Sequence, residues 1–359
     1  MRKFLLLLCI PLFLGGCVEE NQLFEEGNRI VLQPGVTTAA ARPADSRSIV
    51  NNVGTAADRI NTVGIYVARI SDNTLYPGTS GTGSVFTAPA VEGGAWTSTT
   101  PVYVHGIAGR LFAWSPSGQA VTGGNSSGAP TIPVSSIPAA QTFNGENEYT
   151  CSATDYMYGA GTNTPGSVEA IPVSNTAHTP TIYMQHALAQ IAIRMVNAAD
   201  RPADAAYDYV KKITLTANNG ATPFKVISSG GTMSLADGAL TGQSNAGELI
   251  FTPSANPKQV GAVGNPATVA YGLVVPKAEA ASGTTVKLSL LLGEASLSKT
   301  DTERLLVIES TDAFNKAWEK GKRYVYTLTL GKRGITISDA DIKGWATETG
   351  NKNMPPVMD

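Results

Sequence analysis

Short runs in which apolar and polar side chains alternate constrain the fold of this chain most strongly. In residues 324–330, YVYTLTL, one face carries tyrosine and leucine and the other carries valine and threonine. A period of two places alternate residues on opposite faces, so this run predicts a half-buried β-strand. The same period occurs in residues 191–195, 213–216 and 286–290. Within these runs, Arg194 and Lys287 are expected to face water.

Turn-forming residues separate the alternating runs. The chain contains 37 Gly and 21 Pro, with Pro-Gly, Gly-Gly, Asn-Gly and Asp-Gly pairs between the apolar segments. This pattern predicts an all-β protein built of antiparallel sandwiches or barrels. One short helix is expected from Asp312 to Lys320, where Phe314 and Trp318 share a face and Gly321 can end it. Trp318 is expected to be a packing anchor.

The first 17 residues carry an export signal. Two positive charges precede an apolar stretch, residues 4–14, that is too short to span a bilayer, and small residues lead into Cys17. The sequence LGGC at residues 14–17 resembles the lipobox of bacterial lipoproteins. This resemblance implies cleavage after residue 16 and a lipid on the Cys17 thiol. An uncleaved anchor or a simple secretory signal is the alternative.

Length favours two domains in the exported chain. Removing residues 1–16 from 359 leaves 359 − 16 = 343 residues, which is more than one ordinary core accommodates. A Pro-, Ser- and Thr-containing stretch at residues 171–180 suggests a boundary near 175–182. We therefore expect an N-terminal sandwich over residues 48–178 and a C-terminal one over residues 179–359.

Composition argues against several classes of function. Charged residues make up 15 % of the chain and the net charge is −2, so no strong field exists to attract nucleic acid. After loss of the signal and acylation of Cys17, Cys151 is the one remaining thiol, so no internal disulfide is expected. No histidine stands in a catalytic or metal-ligand pattern, and we expect no enzyme, cofactor or metal. His186 is interpreted as a core or edge residue that hydrogen-bonds nearby backbone.

Three segments together resemble a known family. They are residues 182–193, IYMQHALAQIAI; residues 317–330, AWEKGKRYVYTLTL; and residues 335–345, which contain ITI and IKGW. Their order and spacing are similar to those of fimbrillin-type pilus subunits of Bacteroidales. The resemblance implies two transthyretin-like β-sandwich domains and a structural subunit of a cell-surface pilus (fimbrium).

The resemblance also implies a route of assembly. The chain would reach the outer membrane as a lipoprotein, be trimmed by a trypsin-like protease, and polymerise with copies of itself or related pilins by strand exchange. Glu19, Glu20, Glu25 and Glu26 form an acidic tether after Cys17, similar to the signal that sends lipoproteins of this phylum to the surface.

A removable first strand is expected within residues 17–47. Its apolar members are Ile30, Val31 and Leu32. If this strand leaves the first domain, it exposes apolar core and unpaired backbone that a donated strand can cover.

Protease cleavage is expected between Arg47 and Ser48. Arg42 is the alternative, but Pro43 follows it, and a proline after the scissile bond is poorly accepted because it lacks a backbone N–H. The competing interpretation is that both arginines are solvated loop charges.

The donor strand is expected near the C-terminus. Apolar and polar positions alternate there, with apolar side chains at Ile335, Ile337, Ile342 and Trp345. We expect this region to fill the groove of the next subunit.

The alternative function is a monomeric surface lipoprotein that binds glycans or adheres to a host glycan or protein. Aromatic residues that could form sugar platforms, although equally suited to a core, are Trp96, Tyr103, Trp114, Tyr156 and Tyr158.

Overall fold

The structure is a computed structural model that describes residues 29–30, 60, 62–88, 96–124, 128–144, 151–162, 164, 166–201, 207–298, 300, 303–338 and 340–344. Within these residues the chain is almost entirely β. The strands begin, in chain order, with β1 (Thr62–Arg69), β2 (Ser84–Thr87), β3 (Thr97–Ser98), β4 (Gly109–Ser115), β5 (Thr131–Val134), β6 (Ala140–Phe143), β7 (Met157–Ala160), β8 (Ile171–Val173), β9 (Tyr183–His186), β10 (Ala189–Asn197) and β11 (Tyr209–Ala217). They continue with β12 (Phe224–Ile227), β13 (Gly231–Ser234), β14 (Gln243–Ala246), β15 (Glu248–Pro253), β16 (Lys258–Gln259), β17 (Ala267–Val274), β18 (Val286–Gly293), β19 (Arg304–Thr311), β20 (Lys322–Gly331), β21 (Gly334–Ile337) and β22 (Asp341–Gly344).

The first half of the chain forms a seven-stranded sheet in the order β3-β2-β1-β4-β7-β9, with β8 also paired to β4. Its central strands are buried on both faces because their side chains enter two different cores. One face, with Val63 and Ile65, contributes to what we call the outer core. The other face, with Tyr66 and Trp114, contributes to the junction core, which also contains Leu273 from the second half.

The second half is a sandwich of two sheets around a third cluster, the C-terminal core. One sheet has the order β17-β10-β20-β21, with β22 beside β20, and the other has the order β19-β18-β11-β15-β6, with β16 beside β11. Most pairs are antiparallel, but β10 and β20 run parallel, as do β15 and β6. The β-sandwich expected from the sequence is confirmed.

Strands cross the expected domain boundary in both directions. β6, from the first half, pairs with β15, and β5 pairs with β13. In return, β9 pairs with β7 in the seven-stranded sheet. Sheet membership therefore changes between His186 and Ala189, and the division at residue 178 stays a prediction.

Gln141 connects the two sheets of the second sandwich. Its side chain is 2 % exposed. The amide Nε2 donates to Leu273 O at 2.5 Å, and Leu273 N donates to the amide Oε1 at 3.1 Å. The side chain thus satisfies both backbone groups of a β17 residue, as a neighbouring strand would.

The expected helix is shorter than the sequence suggested. A 3₁₀ helix spans Ala313–Asn315. Beyond it the chain extends, because Trp318 exchanges two backbone hydrogen bonds of 2.9 Å with Lys277. Phe314 and Trp318 are nevertheless both buried.

Arg194 differs from its expected exposure. It lies on β10, which is paired on both edges, and it is only 8 % exposed, whereas Lys287 on β18 is partly exposed and pairs with Glu309. The expectation that Arg194 faces water is wrong because β10 is covered on both faces.

Among the residues that the structure describes, no helical segment has the length and hydrophobicity that spanning a bilayer requires.

Candidate functional site

Ile30 packs in the outer core, in a position beside Val102 and Val104 that we call the Ile30 seat. Its side chain is 1 % exposed, and its backbone N–H donates to Val102 O at 2.7 Å. Arg29 forms an antiparallel bridge with Tyr103. Ile30, one residue of the expected first strand, is therefore buried and bonded to a neighbouring backbone group, while Val31 and Leu32 lie outside the described residues; that the strand is removable stays a prediction.

The segment that receives Ile30 is held from its other side. Val102 and Val104 are buried in the outer core. Tyr76 supports the adjoining backbone, since its hydroxyl accepts from His105 N at 2.8 Å and donates to Ile107 O at 2.7 Å. These hydrogen bonds do not involve Ile30. The backbone around Val102 and Val104 therefore keeps this support when Ile30 is absent.

The seat predicts a stability effect that depends on cleavage. Ile30→Ala is expected to lower the unfolding free energy of the uncut chain by about 2 to 4 kcal/mol, because it leaves a cavity in the outer core. In a chain cut after Arg47 the same substitution is expected to have no effect on the remaining domain. Thermal denaturation of both forms tests this, and equal loss of stability in both would contradict a removable segment.

The residues that would be lipidated or cleaved lie outside the described part of the chain. They are Cys17, Arg42, Arg47 and Ser48. Their roles stay predictions. The described residues on either side of the cleavage segment, Ile30 and Ile60, are both buried in the outer core.

The expected donor region covers one edge of β20. β21 pairs with its C-terminal half, with Ile335 opposite Leu330, and β22 pairs with its N-terminal half. Ile335 and Ile337 are half-buried against the C-terminal core, whereas Ile342 is 52 % exposed. Trp345 lies outside the described residues. In this structure the region is paired within its own subunit, and its last described strand buries little.

The family-like segments form packing features. Trp318 stacks on Phe224 with ring centres 5.7 Å apart, and its Nε1 donates to the Tyr326 hydroxyl at 3.0 Å. Gly321 N donates to Leu188 O at 2.8 Å, which connects the second and first segments. The expectation that Trp318 is a packing anchor is confirmed.

Lys277 lies beneath this tryptophan. It is 6 % exposed, and its Nζ donates to Asn315 O at 3.2 Å and Lys316 O at 2.7 Å. The ammonium is 4.6 Å from the centre of the Trp318 ring. Burial lowers the pKa of Lys277 to about 8, against a smaller opposing effect of Glu279.

This lowered pKa predicts a pH dependence of stability. The ordinary pKa of lysine is 10.5, so between about pH 8 and 10.5 the folded state binds fewer protons than the unfolded state. The unfolding free energy contributed by Lys277 must then rise with pH across this window. Lys277→Met is expected to remove that rise. Denaturant titrations at both ends of the window test it, and identical pH slopes for the two proteins would contradict it.

His186 has a partner that the sequence did not reveal. Its Nδ1 lies 3.0 Å from Asp155 Oδ2, with both side chains buried. Burial raises the pKa of Asp155, and His186 opposes that rise. The two residues are 31 positions apart, so no local pattern could have paired them. Among the described residues no group of His, Cys, Asp or Glu is arranged to hold a metal ion.

Most aromatic residues considered as sugar platforms are buried. Trp96, Trp114, Tyr156 and Tyr158 are all buried. Tyr103 alone of the five is half-buried. These side chains fill the cores and do not form an exposed row.

Comparison with known proteins gives the family. The model of the fimbrillin-like family matches residues 48–345. No curated protein matches the chain. One solved structure is that of a proposed cell adhesion protein from Bacteroides uniformis. It is 16 % identical to this chain, with a TM-score of 0.52, and the match covers 89 % of this chain and 99 % of that one. A fimbrial protein from Bacteroides vulgatus is 13 % identical, with a TM-score of 0.40 over 79 % of this chain and 92 % of that one.

The first of these structures shares the fold, and the family match covers most of the chain, including every sheet described above. The chain therefore belongs to the fimbrillin-like family.

Proposed function

We propose that this protein is a structural subunit of a cell-surface pilus that is exported as a lipoprotein through Cys17. A trypsin-like protease cuts after Arg47, and the trimmed subunits polymerise by donor-strand exchange. Membership of the fimbrillin-like family supports a pilus or adhesin subunit at the cell surface, in a family of structural proteins and not of enzymes.

The seat of Ile30 carries the proposal. This residue precedes both candidate cleavage sites, yet its side chain is buried in the outer core and its backbone N–H is bonded to Val102. Cutting after Arg47 severs the covalent link between Ile30 and the rest of the outer core. An apolar seat and an unpaired Val102 carbonyl are then available to a strand from another subunit.

The C-terminal edge supplies a suitable donor. β21 carries isoleucine at every second position, which is the pattern that a strand-addition groove accepts. Burying four or five such side chains, including those beyond β21, contributes on the order of 10 kcal/mol before the cost of ordering the strand. Such a joint dissociates slowly.

Replacing Arg47 tests the proposal. Arg47→Ala protein, incubated with a trypsin-like protease, is expected to remain monomeric in size-exclusion chromatography and electron microscopy. Arg42→Ala is the matched control and is expected to assemble as the unsubstituted protein does. If Arg47→Ala protein forms fibres as readily as the control, protease-gated exchange is the wrong mechanism.

The alternative, a monomeric glycan-binding lipoprotein, is not favoured by any described feature. Four of its five candidate aromatic residues are buried in cores.

A further inference from the structure

The second sandwich has an open side. Its far edge strand, β19, pairs only with β18 among the described residues, so one row of its backbone groups has no strand partner. β19 begins with the residues RLLVI and contains no proline or lysine, and Leu305 is 61 % exposed. Edge strands that are protected against pairing usually carry proline or lysine. An exposed apolar edge without them is suited to strand addition.

A groove of about 290 Å³ lies between this edge and the turn that joins β20 to β21. We call it the β19 groove. Its aliphatic lining includes Leu306, Leu330 and Ile335, which border the C-terminal core.

Positive charge surrounds the β19 groove. Arg304, Lys332 and Arg333 line it, and within the described residues none of these side chains has a carboxylate partner. Arg201 also lines the groove but is neutralised by Asp208 at 2.9 Å. Asp200 is a further acidic group nearby and accepts from Lys332 N at 3.5 Å, and Glu303, next to Arg304, is paired with Lys211 at 2.9 Å. The groove therefore combines several aliphatic side chains, an unpaired strand edge and an excess of cations.

We propose that the β19 groove binds the acidic tether, residues 18–28, of a second copy of this chain before that copy is trimmed. The tether, VEENQLFEEGN, carries four glutamates and no cation, with Leu23 and Phe24 between the two acidic pairs. An extended segment of this composition matches the groove in all three respects: backbone for the β19 edge, apolar side chains for the aliphatic lining residues and carboxylates for the cations.

Geometry assigns the tether to a second copy. Asn28 lies two residues before Ile30, which is fixed in the outer core at the opposite face of the first sheet from the junction core. The N-terminal end of β20 abuts that first sheet, where Lys320 lies over the Tyr158 ring at 4.9 Å. The groove is at the other end of β20, about 26 Å further along at 3.3 Å per residue. A tether held at Ile30 cannot place its second glutamate pair there.

This contact would exist only in the precursor, because cleavage after Arg47 removes the tether. It would hold lipidated precursors together on the membrane and release each subunit on trimming. The inference rests on the proposed function, because cleavage after Arg47 sets when the contact is lost. The binding itself does not require polymerisation.

Peptide binding tests the contact. A fluorescein-labelled peptide of residues 18–28 is titrated into the chain of residues 17–359 carrying Cys17→Ser, and anisotropy is measured. We expect saturable binding that weakens about tenfold when Arg304, Lys332 and Arg333 are all changed to alanine. A peptide with all four glutamates changed to glutamine is expected to lose affinity similarly. Alanine at Lys212, Lys225 and Lys258 together is the matched control and should leave binding unchanged.

The outcomes separate this inference from the proposed function. Equal affinity for the groove variant and the control, or tighter groove binding by a peptide of residues 345–359, would overturn the inference. Filament formation by the groove variant after cleavage is measured in parallel and is expected to proceed normally. Filaments without peptide binding would remove this inference alone, and peptide binding without filaments would remove the proposed function alone.

Discussion

Protein carrying aspartate at both Ile335 and Ile337 is expected to be cleaved normally but to form no filaments of its own. Both side chains would enter the acceptor groove of the next subunit, and burying two unpaired carboxylates there costs several kcal/mol. Sedimentation and electron microscopy after protease treatment measure the loss. Thr336→Asp is the matched control, since Thr336 is exposed on the same strand, and it is expected to assemble.

A second measurement excludes simple misfolding. Ile335 and Ile337 also pack against their own C-terminal core, so the double variant is expected to lose some stability. Its acceptor groove is in the other half of the chain and stays intact. Added in small amounts to unsubstituted protein, the double variant should therefore cap growing filaments and shorten them. Filaments of unchanged length would indicate that the C-terminal strand is not the donor.

Gln141→Leu is expected to lower the unfolding free energy by about 2 to 5 kcal/mol. Leucine keeps the bulk but leaves the N–H and C=O of Leu273 without partners in a buried site, and each unsatisfied group costs about 1 to 3 kcal/mol. Chemical denaturation measures the difference. Thr142→Ala, at an exposed position of the same strand, should cost well under 1 kcal/mol. A loss no larger than that of the control would show that Gln141 does not connect the sheets.

The strand content was predictable because side-chain alternation is a local property. The run at residues 324–330 lies within β20, Lys322–Gly331. The partners of the strands were not predictable, since a period of two specifies neither the neighbour nor its direction. The parallel pairing of β10 with β20 joins residues such as Ile191 and Tyr324, which are far apart in sequence.

The burial of polar residues was the least predictable part of the fold. Gln141 lies in a short strand of ordinary composition, and Arg194 is polar within an alternating run, so both positions suggest exposure. Their burial arises from tertiary structure. The Gln141 side chain bonds the backbone of Leu273 in place of a neighbouring strand, and Arg194 lies on β10, which is covered on both faces. The β19 groove was missed for a related reason, because Arg304 and Arg333 meet only through the fold.

The candidate site was predictable in part. A short apolar run marked Ile30, and side-chain alternation marked Ile335, as candidate strand residues, and the family resemblance supplied their proposed roles. The seat beside Val102 required the structure, because it joins residues that no local pattern connects.

Mass spectrometry of subunits taken from assembled filaments tests the central claim most directly. If the first strand is removed by cleavage and replaced by the donor strand of another subunit, each subunit begins at Ser48 and no peptide containing Ile30 remains. Subunits that begin at an acylated Cys17 and still contain Ile30 would contradict it.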